Sequence, residues 1–154
     1  MAVQLTVNGQ VLNVDVDPST PLLYVLRNDA LVNSAKYGCG AGQCGACAVL
    51  VDNQVVLSCT LSVGSVKGNV KTLESFESDR TLSALNKAFI AEQAVQCGYC
   101  ISGMMIRAKT LLDKNKHPSV QQIKEVLQGH LCRCGTHTRI IKACLLYTSP
   151  SPRD

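Results

Sequence analysis

The chain of 154 residues contains no tryptophan, two phenylalanines and four tyrosines, so aromatics make up only 4% of it. That scarcity removes the stacking side chains with which single-stranded nucleic acid is held, and the 15 lysines and arginines are scattered instead of gathered into a stripe. Nucleic acid is therefore not expected as a partner, and the net charge of +4 reads as an aid to docking on another protein. Long apolar runs are missing too. No stretch approaches the ~20 residues that a bilayer span requires, which argues against direct membrane insertion. Residues 1–16 alternate in polarity and have neither a basic start nor a continuous apolar core, unlike a signal peptide, so a cytoplasmic protein is expected.

What the chain has in excess is cysteine, nine in all. In an exported protein this would suggest disulfides with one thiol left over; without an export signal, metal binding is the better reading. Eight of the nine fall into two groups of four. Cys39, Cys44, Cys47 and Cys59 read C-x4-C-x2-C with a fourth cysteine after eleven more residues, the spacing of a plant-type 2Fe-2S site. Around them, Gly38-Cys39-Gly40-Ala41-Gly42-Gln43-Cys44-Gly45-Ala46-Cys47 is built of small residues, which let the backbone curl until its amide hydrogens point at sulfur. Buried core cysteines or a structural zinc compete with this reading, but zinc ordinarily takes two close pairs, not three clustered cysteines and a distant fourth. The second group pairs Cys97-Gly98-Tyr99-Cys100 with Cys132-Arg133-Cys134, and spacing alone leaves iron and zinc both open there. The thirty-one residues between the pairs are enough for two helices to run out and back, bringing both pairs to one end of a bundle.

Hydrophobic periodicity divides the chain in two. Val3, Leu5 and Val7 alternate, Asn8-Gly9 supplies a hairpin turn, and Leu12, Val14 and Val16 alternate again. Ser19 or Thr20 is expected to cap a short helix with Pro21 at its first position and Leu22, Leu23 and Leu26 on one face. A second hairpin is predicted over 48–57, turning at Asp52-Asn53, and a further strand over 70–73. After Phe76 the period becomes helical: Asp79 opens one helix, a second spans about 102–112, Ser119 with Gln122 forms a capping box for a third that Gly129 closes, and a fourth starts near Thr136. The polar segment 74–80 reads as the linker. These patterns predict an α+β chain with a sheet-and-helix domain over 1–75 and a helical domain over 76–143, each small enough to gain from a metal cluster's stabilisation. The last eleven residues, 144–154, look like a translated transposase sequencing adapter; they are set outside the fold with the ninth cysteine, and disorder is expected there.

Three ordered stretches make the chain recognisable: Tyr37-Gly38-Cys39-Gly40 through Cys47-Ala48-Val49-Leu50-Val51-Asp52, then Gln96-Cys97-Gly98-Tyr99-Cys100 with Gly103 and Met104, then Leu131-Cys132-Arg133-Cys134-Gly135. From Val3 to Ala143 it resembles the small iron-sulfur subunit of the molybdenum hydroxylases, the xanthine dehydrogenase and aldehyde oxidoreductase family. The resemblance implies a β-grasp ferredoxin-like domain followed by a four-helix-bundle domain, each with one 2Fe-2S cluster. It implies that Cys39, Cys44, Cys47 and Cys59 hold the outer cluster and Cys97, Cys100, Cys132 and Cys134 the inner one. It implies, further, that Gln96 and the backbone of Cys134 bond a molybdopterin cofactor held by a large partner subunit. On this reading the chain is the non-catalytic electron-transfer subunit of an oxidoreductase, passing electrons to an acceptor such as a flavin subunit or cytochrome. Gly135-Thr136-His137, where many relatives have threonine, glycine and tyrosine, makes it most similar to bacterial nicotinate and isoquinoline dehydrogenase subunits, hence to enzymes that oxidise N-heteroaromatics or aldehydes. A free-standing two-cluster ferredoxin and a zinc-stabilised binding module are the alternatives. His117, His130 and His137 read as solvent-facing or capping residues, and Met104 and Met105 as packing.

Overall fold

The computed structural model describes residues 2–148. Its first half is a five-stranded mixed sheet in the order β2-β1-β5-β3-β4, formed by β1 (Ala2–Val7), β2 (Gln10–Asp15), β3 (Ala48–Val51), β4 (Gln54–Leu57) and β5 (Asn69–Lys71). β1 runs parallel to β5 and every other pairing is antiparallel. Both predicted hairpin turns form, with Asn8 and Gly9 in one and Asp52 and Asn53 in the other adopting the positive φ that a two-residue turn demands. Helix α1 (Leu22–Asn28) lies on the sheet and buries Leu22, Leu23 and Leu26 completely, each contributing on the order of 1.5–3 kcal/mol. Its entry differs from expectation. Pro21 occupies the cap itself, Ser19 bonds Asp17 instead of the helix, and the Leu22 amide donates to the Leu61 carbonyl at 2.7 Å, so tertiary contact replaces the side-chain cap.

The second half holds four helices: α2 (Arg80–Ala91), α3 (Ile101–Lys114), α4 (Val120–Leu127) and α5 (His137–Thr148). Asp79 accepts from the Leu82 amide at the head of α2, and the Ser119–Gln122 capping box is complete at the head of α4. α4 stops at Leu127 with Gln128 as its cap; Gly129 is not left-handed and plays no special part. Leu85, Met104, Leu112, Ile123 and Ile140 form the centre of this bundle, so both methionines near the second cysteine group are packing residues as expected.

The predicted strand over 70–73 is cut short at Lys71 because Thr72 is held by Asn8, and the chain then turns through a 3-10 segment at Leu73–Phe76. The expected disorder of 144–154 does not hold for 144–148. α5 continues through Thr148, because Ile140, Ala143, Cys144 and Tyr147 extend one apolar face against the bundle, and Cys144 is 1% exposed. Residues 149–154 lie outside the described residues.

Candidate metal centres

The first four cysteines meet between α1 and the β3–β4 hairpin. Left-handed Gly40, Gly42 and Gly45 fold the loop back on itself, and its amides turn towards sulfur: Ala41 N and Gln43 N donate to Cys39 Sγ at 3.3 and 3.2 Å, and Cys39 N to Cys44 Sγ at 3.4 Å. Those bonds from Ala41 and Gln43 hold the Cys39 thiol down at about 6. Cys47 and Cys59 face each other at the foot of the hairpin, both buried, and desolvation pushes the Cys47 thiol up to about 11. Cys44 is near enough to Cys47 to act on its charge, which closes the ring of four.

The second group converges at one end of the bundle. Cys100 precedes α3 and Cys132 precedes α5; their thiols bond each other, Cys97 acts on Cys100 through its charge, and the Cys134 backbone bonds Cys132. Burial drives the Cys100 thiol up to about 12. At Cys132 burial also opposes charge, but the Thr136 hydroxyl at 3.1 Å and the Thr136 amide at 3.5 Å outweigh it and hold the thiol at about 7. In each group, then, one thiol is stabilised as a thiolate by donors while a buried one has no positive charge to balance it. A ferric centre supplies that charge, so the donor sets fit the group. The sulfurs also come in pairs, Cys39 with Cys44, Cys47 with Cys59 and Cys100 with Cys132, which is the division a two-iron cluster requires.

The two centres adjoin. A cavity of about 420 Å³ runs between them, lined by Cys39 and Cys44 on one side and Cys97, Cys100 and Cys132 on the other. The Leu131 amide donates to the Cys44 carbonyl at 3.0 Å and the Tyr99 hydroxyl donates to the Tyr37 carbonyl, and both bonds join the two cysteine motifs. Gln96 is exposed, in the loop between α2 and α3, and Cys134 is half-buried. His130 departs from the expectation of a solvent-facing or capping role: it is 2% exposed, packed on Gly45, and neither ring nitrogen has a partner. Burial first, then the charges of Arg107 and His137, lower its pKa to about 4. No local pattern could have located it there, because Gly45 and His130 meet only in the folded chain. His137 bonds the His130 carbonyl at 2.8 Å, and His117 is exposed.

Residues 5–73 match the family described as the 2Fe-2S iron-sulfur cluster binding domain, and residues 72–145 the 2Fe-2S binding domain. The chain is 48% identical over 142 residues to one of the subunits of nicotinate dehydrogenase from Pseudomonas putida, covering 92% of this chain and 90% of that one. It belongs to the small iron-sulfur subunits of the molybdenum hydroxylases. The alpha subunit of isoquinoline 1-oxidoreductase from Brevundimonas diminuta is 41% identical, over 90% of this chain and 91% of that one. The crystal structure of quinoline 2-oxidoreductase from Pseudomonas putida 86 superposes with a TM-score of 0.86 at 34% identity, covering 96% and 93% of the two chains. The chain therefore has two 2Fe-2S binding domains in an α+β fold, as the family resemblance implies. Among the described residues, no helix is long and apolar enough to cross a membrane.

Proposed function

We propose that this chain is the electron-transfer subunit of a molybdopterin-dependent hydroxylase that oxidises an N-heteroaromatic compound, with Cys39, Cys44, Cys47 and Cys59 holding one cluster and Cys97, Cys100, Cys132 and Cys134 the other. The observation that carries it is the adjacency of two four-thiolate centres across the Leu131–Cys44 hydrogen bond. When bound, 2Fe-2S clusters supply one-electron carriage. The residues of the chain do the rest. Ala41 and Gln43 aim amides at Cys39, which favours the reduced state of that centre. Buried Cys47, Cys59 and Cys100 keep water from the sulfurs, and the Leu131–Cys44 bond gives a continuous protein path between the sites.

The nicotinate and isoquinoline names of its relatives favour the N-heteroaromatic substrate class over aldehydes. A large molybdopterin subunit docks where Gln96 and Cys97 are exposed, with Gln96 and the Cys134 backbone bonding the pterin. A flavin subunit or cytochrome receives the electrons. The chain divides functionally at about residue 75, and the assembly works in the cytoplasm, where thiols such as these stay reduced. Iron analysis with an absorption spectrum of anaerobically purified protein tests the reading: about four irons per chain and a visible band that bleaches on reduction are expected, and zinc in their place ends it.

A further inference from the structure

The linker between the two halves contains a carboxylate with every acceptor position filled by the protein. Glu74 Oε1 accepts from the amides of Asn33 and Ser34 at 3.0 and 2.8 Å, and Oε2 from the hydroxyls of Ser34 and Thr72 at 2.5 and 2.6 Å. A carboxylate offers about four lone-pair sites, and an ordinary surface glutamate spends them on water. Those partners lead in two directions. Thr72 Oγ1 accepts from Asn8 Nδ2 at 2.9 Å and the Thr72 amide donates to Asn8 Oδ1 at 2.8 Å, which anchors the linker to the β1–β2 turn. The Ser34 carbonyl accepts from Ser102 Oγ at 2.5 Å. Ser34 lies on the segment that leads into Cys39, and Ser102, 7% exposed, is in the first turn of α3 just after Cys100.

We propose that Glu74 is a positioning residue: by clamping Ser34, which in turn receives Ser102, it sets how the Cys39 loop sits against the head of α3 and hence the separation of the two clusters. This rests on the two-cluster reading above and assigns to the linker a part in the transfer between them. A passive connector would not need to saturate a carboxylate. Charge matters as well as shape, because hydrogen bonds to an ionised acceptor are roughly twice as strong as neutral ones.

The test uses the full chain with both clusters in place. In Glu74→Ala the iron content and visible spectrum are expected to stay, while the magnetic splitting between the two reduced clusters in low-temperature EPR weakens. The Asn33 and Ser34 amides then exchange hydrogen at least about tenfold faster, the factor that loss of a bond to a charged acceptor implies. Glu74→Gln, which keeps an acceptor for both amides and lets both hydroxyls turn to accept from its amide nitrogen but lacks the charge, restores part of the splitting. A general packing defect would not be rescued in this way. If Glu74→Ala does not assemble, Ser102→Ala carries the test, and it too should weaken the splitting. Unchanged splitting in whichever variant assembles overturns the clamp. A wild-type protein short of iron overturns the two-cluster reading instead, so the two failures are distinct.

Discussion

At the residue scale, glycine lets the two halves approach each other closely. A Cβ on Gly103 would lie 2.1 Å from the Gly45 carbonyl oxygen, and one on Gly45, which has φ +76°, would lie 2.4 Å from the His130 ring. The obstacle at Gly103 is backbone, which cannot swing aside, so α3 itself must retreat from the Cys44 loop. Gly103→Ala is therefore expected to destabilise by roughly 1–3 kcal/mol and to lengthen the Leu131–Cys44 contact. Gly129→Ala, where nothing lies within 4 Å and φ is not positive, should stay within about 0.5 kcal/mol. Urea midpoints of the two variants compare the cases directly; equal midpoints would contradict the packing argument. Glu74 makes a second prediction. Burial raises its pKa, but the Ser34 and Thr72 hydroxyls and the Ser34 amide more than offset this and hold it at about 2, below its ordinary 4.5. The folded carboxylate thus resists protonation that the unfolded one accepts. Its contribution is fully present above pH 4.5 and is lost as pH falls towards 2, so the stability gap between wild type and Glu74→Ala should narrow over that window.

At the element scale, the helices of the second half owe their starts to short-range chemistry. Ser119 accepts from Gln122 N at 3.2 Å while Gln122 Oε1 accepts from Ser119 N at 2.9 Å, and Ser119→Ala should cost about 1 kcal/mol, read as a shift in thermal midpoint without change in the visible spectrum. Such caps are legible in a sequence because both partners lie within one turn, and so are hairpins such as Asn8-Gly9, where the turn residues and the alternation agree. The close cysteine runs C-x4-C-x2-C, C-x2-C and C-x-C were legible for the same reason, whereas joining Cys59 to the first run and the two pairs to each other rested on the length of chain between them. What was not legible depends on partners distant in sequence. Pro21 sits at a cap because Leu61 reaches the Leu22 amide, β5 ends at Lys71 because Asn8 takes Thr72, and α5 extends past Ala143 because the bundle offers a wall to Cys144. Lys109 belongs with these: buried in α3, it bonds Asp79 at 3.1 Å and Asp113 at 2.6 Å over the Phe76 ring, tying the linker side of α2 to the bundle.

At the scale of the whole molecule, each centre is held by its own half and the two are joined by few bonds. The loop of the first centre is fixed from within the sheet domain: Lys36 N donates to the Ala46 carbonyl at 3.0 Å, Ser58 Oγ to the Cys47 carbonyl at 2.7 Å, and Leu23 N to the Ser58 carbonyl at 3.0 Å. Leu131 and Tyr99 also reach this loop from the helical half, but the bonds that place Cys47 and Cys59 lie within the sheet domain, so loss of the second centre's iron should leave the first centre's ligands in place. Cys100 is the substitution that separates them, being 8% exposed and paired with Cys132 at the head of α3. A serine hydroxyl in its place is a far weaker ligand than a thiolate for ferric iron, and its smaller, harder oxygen leaves Cys132 without its partner. Cys100→Ser is expected to lose one cluster's iron and absorption while the other spectrum persists, and to stop turnover once the chain is assembled with its large subunit. If both spectra vanish together, the centres are not independently built. If turnover is normal with serine in place, electrons do not need the second centre at all, and a path from partner to acceptor that bypasses α3 would have to be sought.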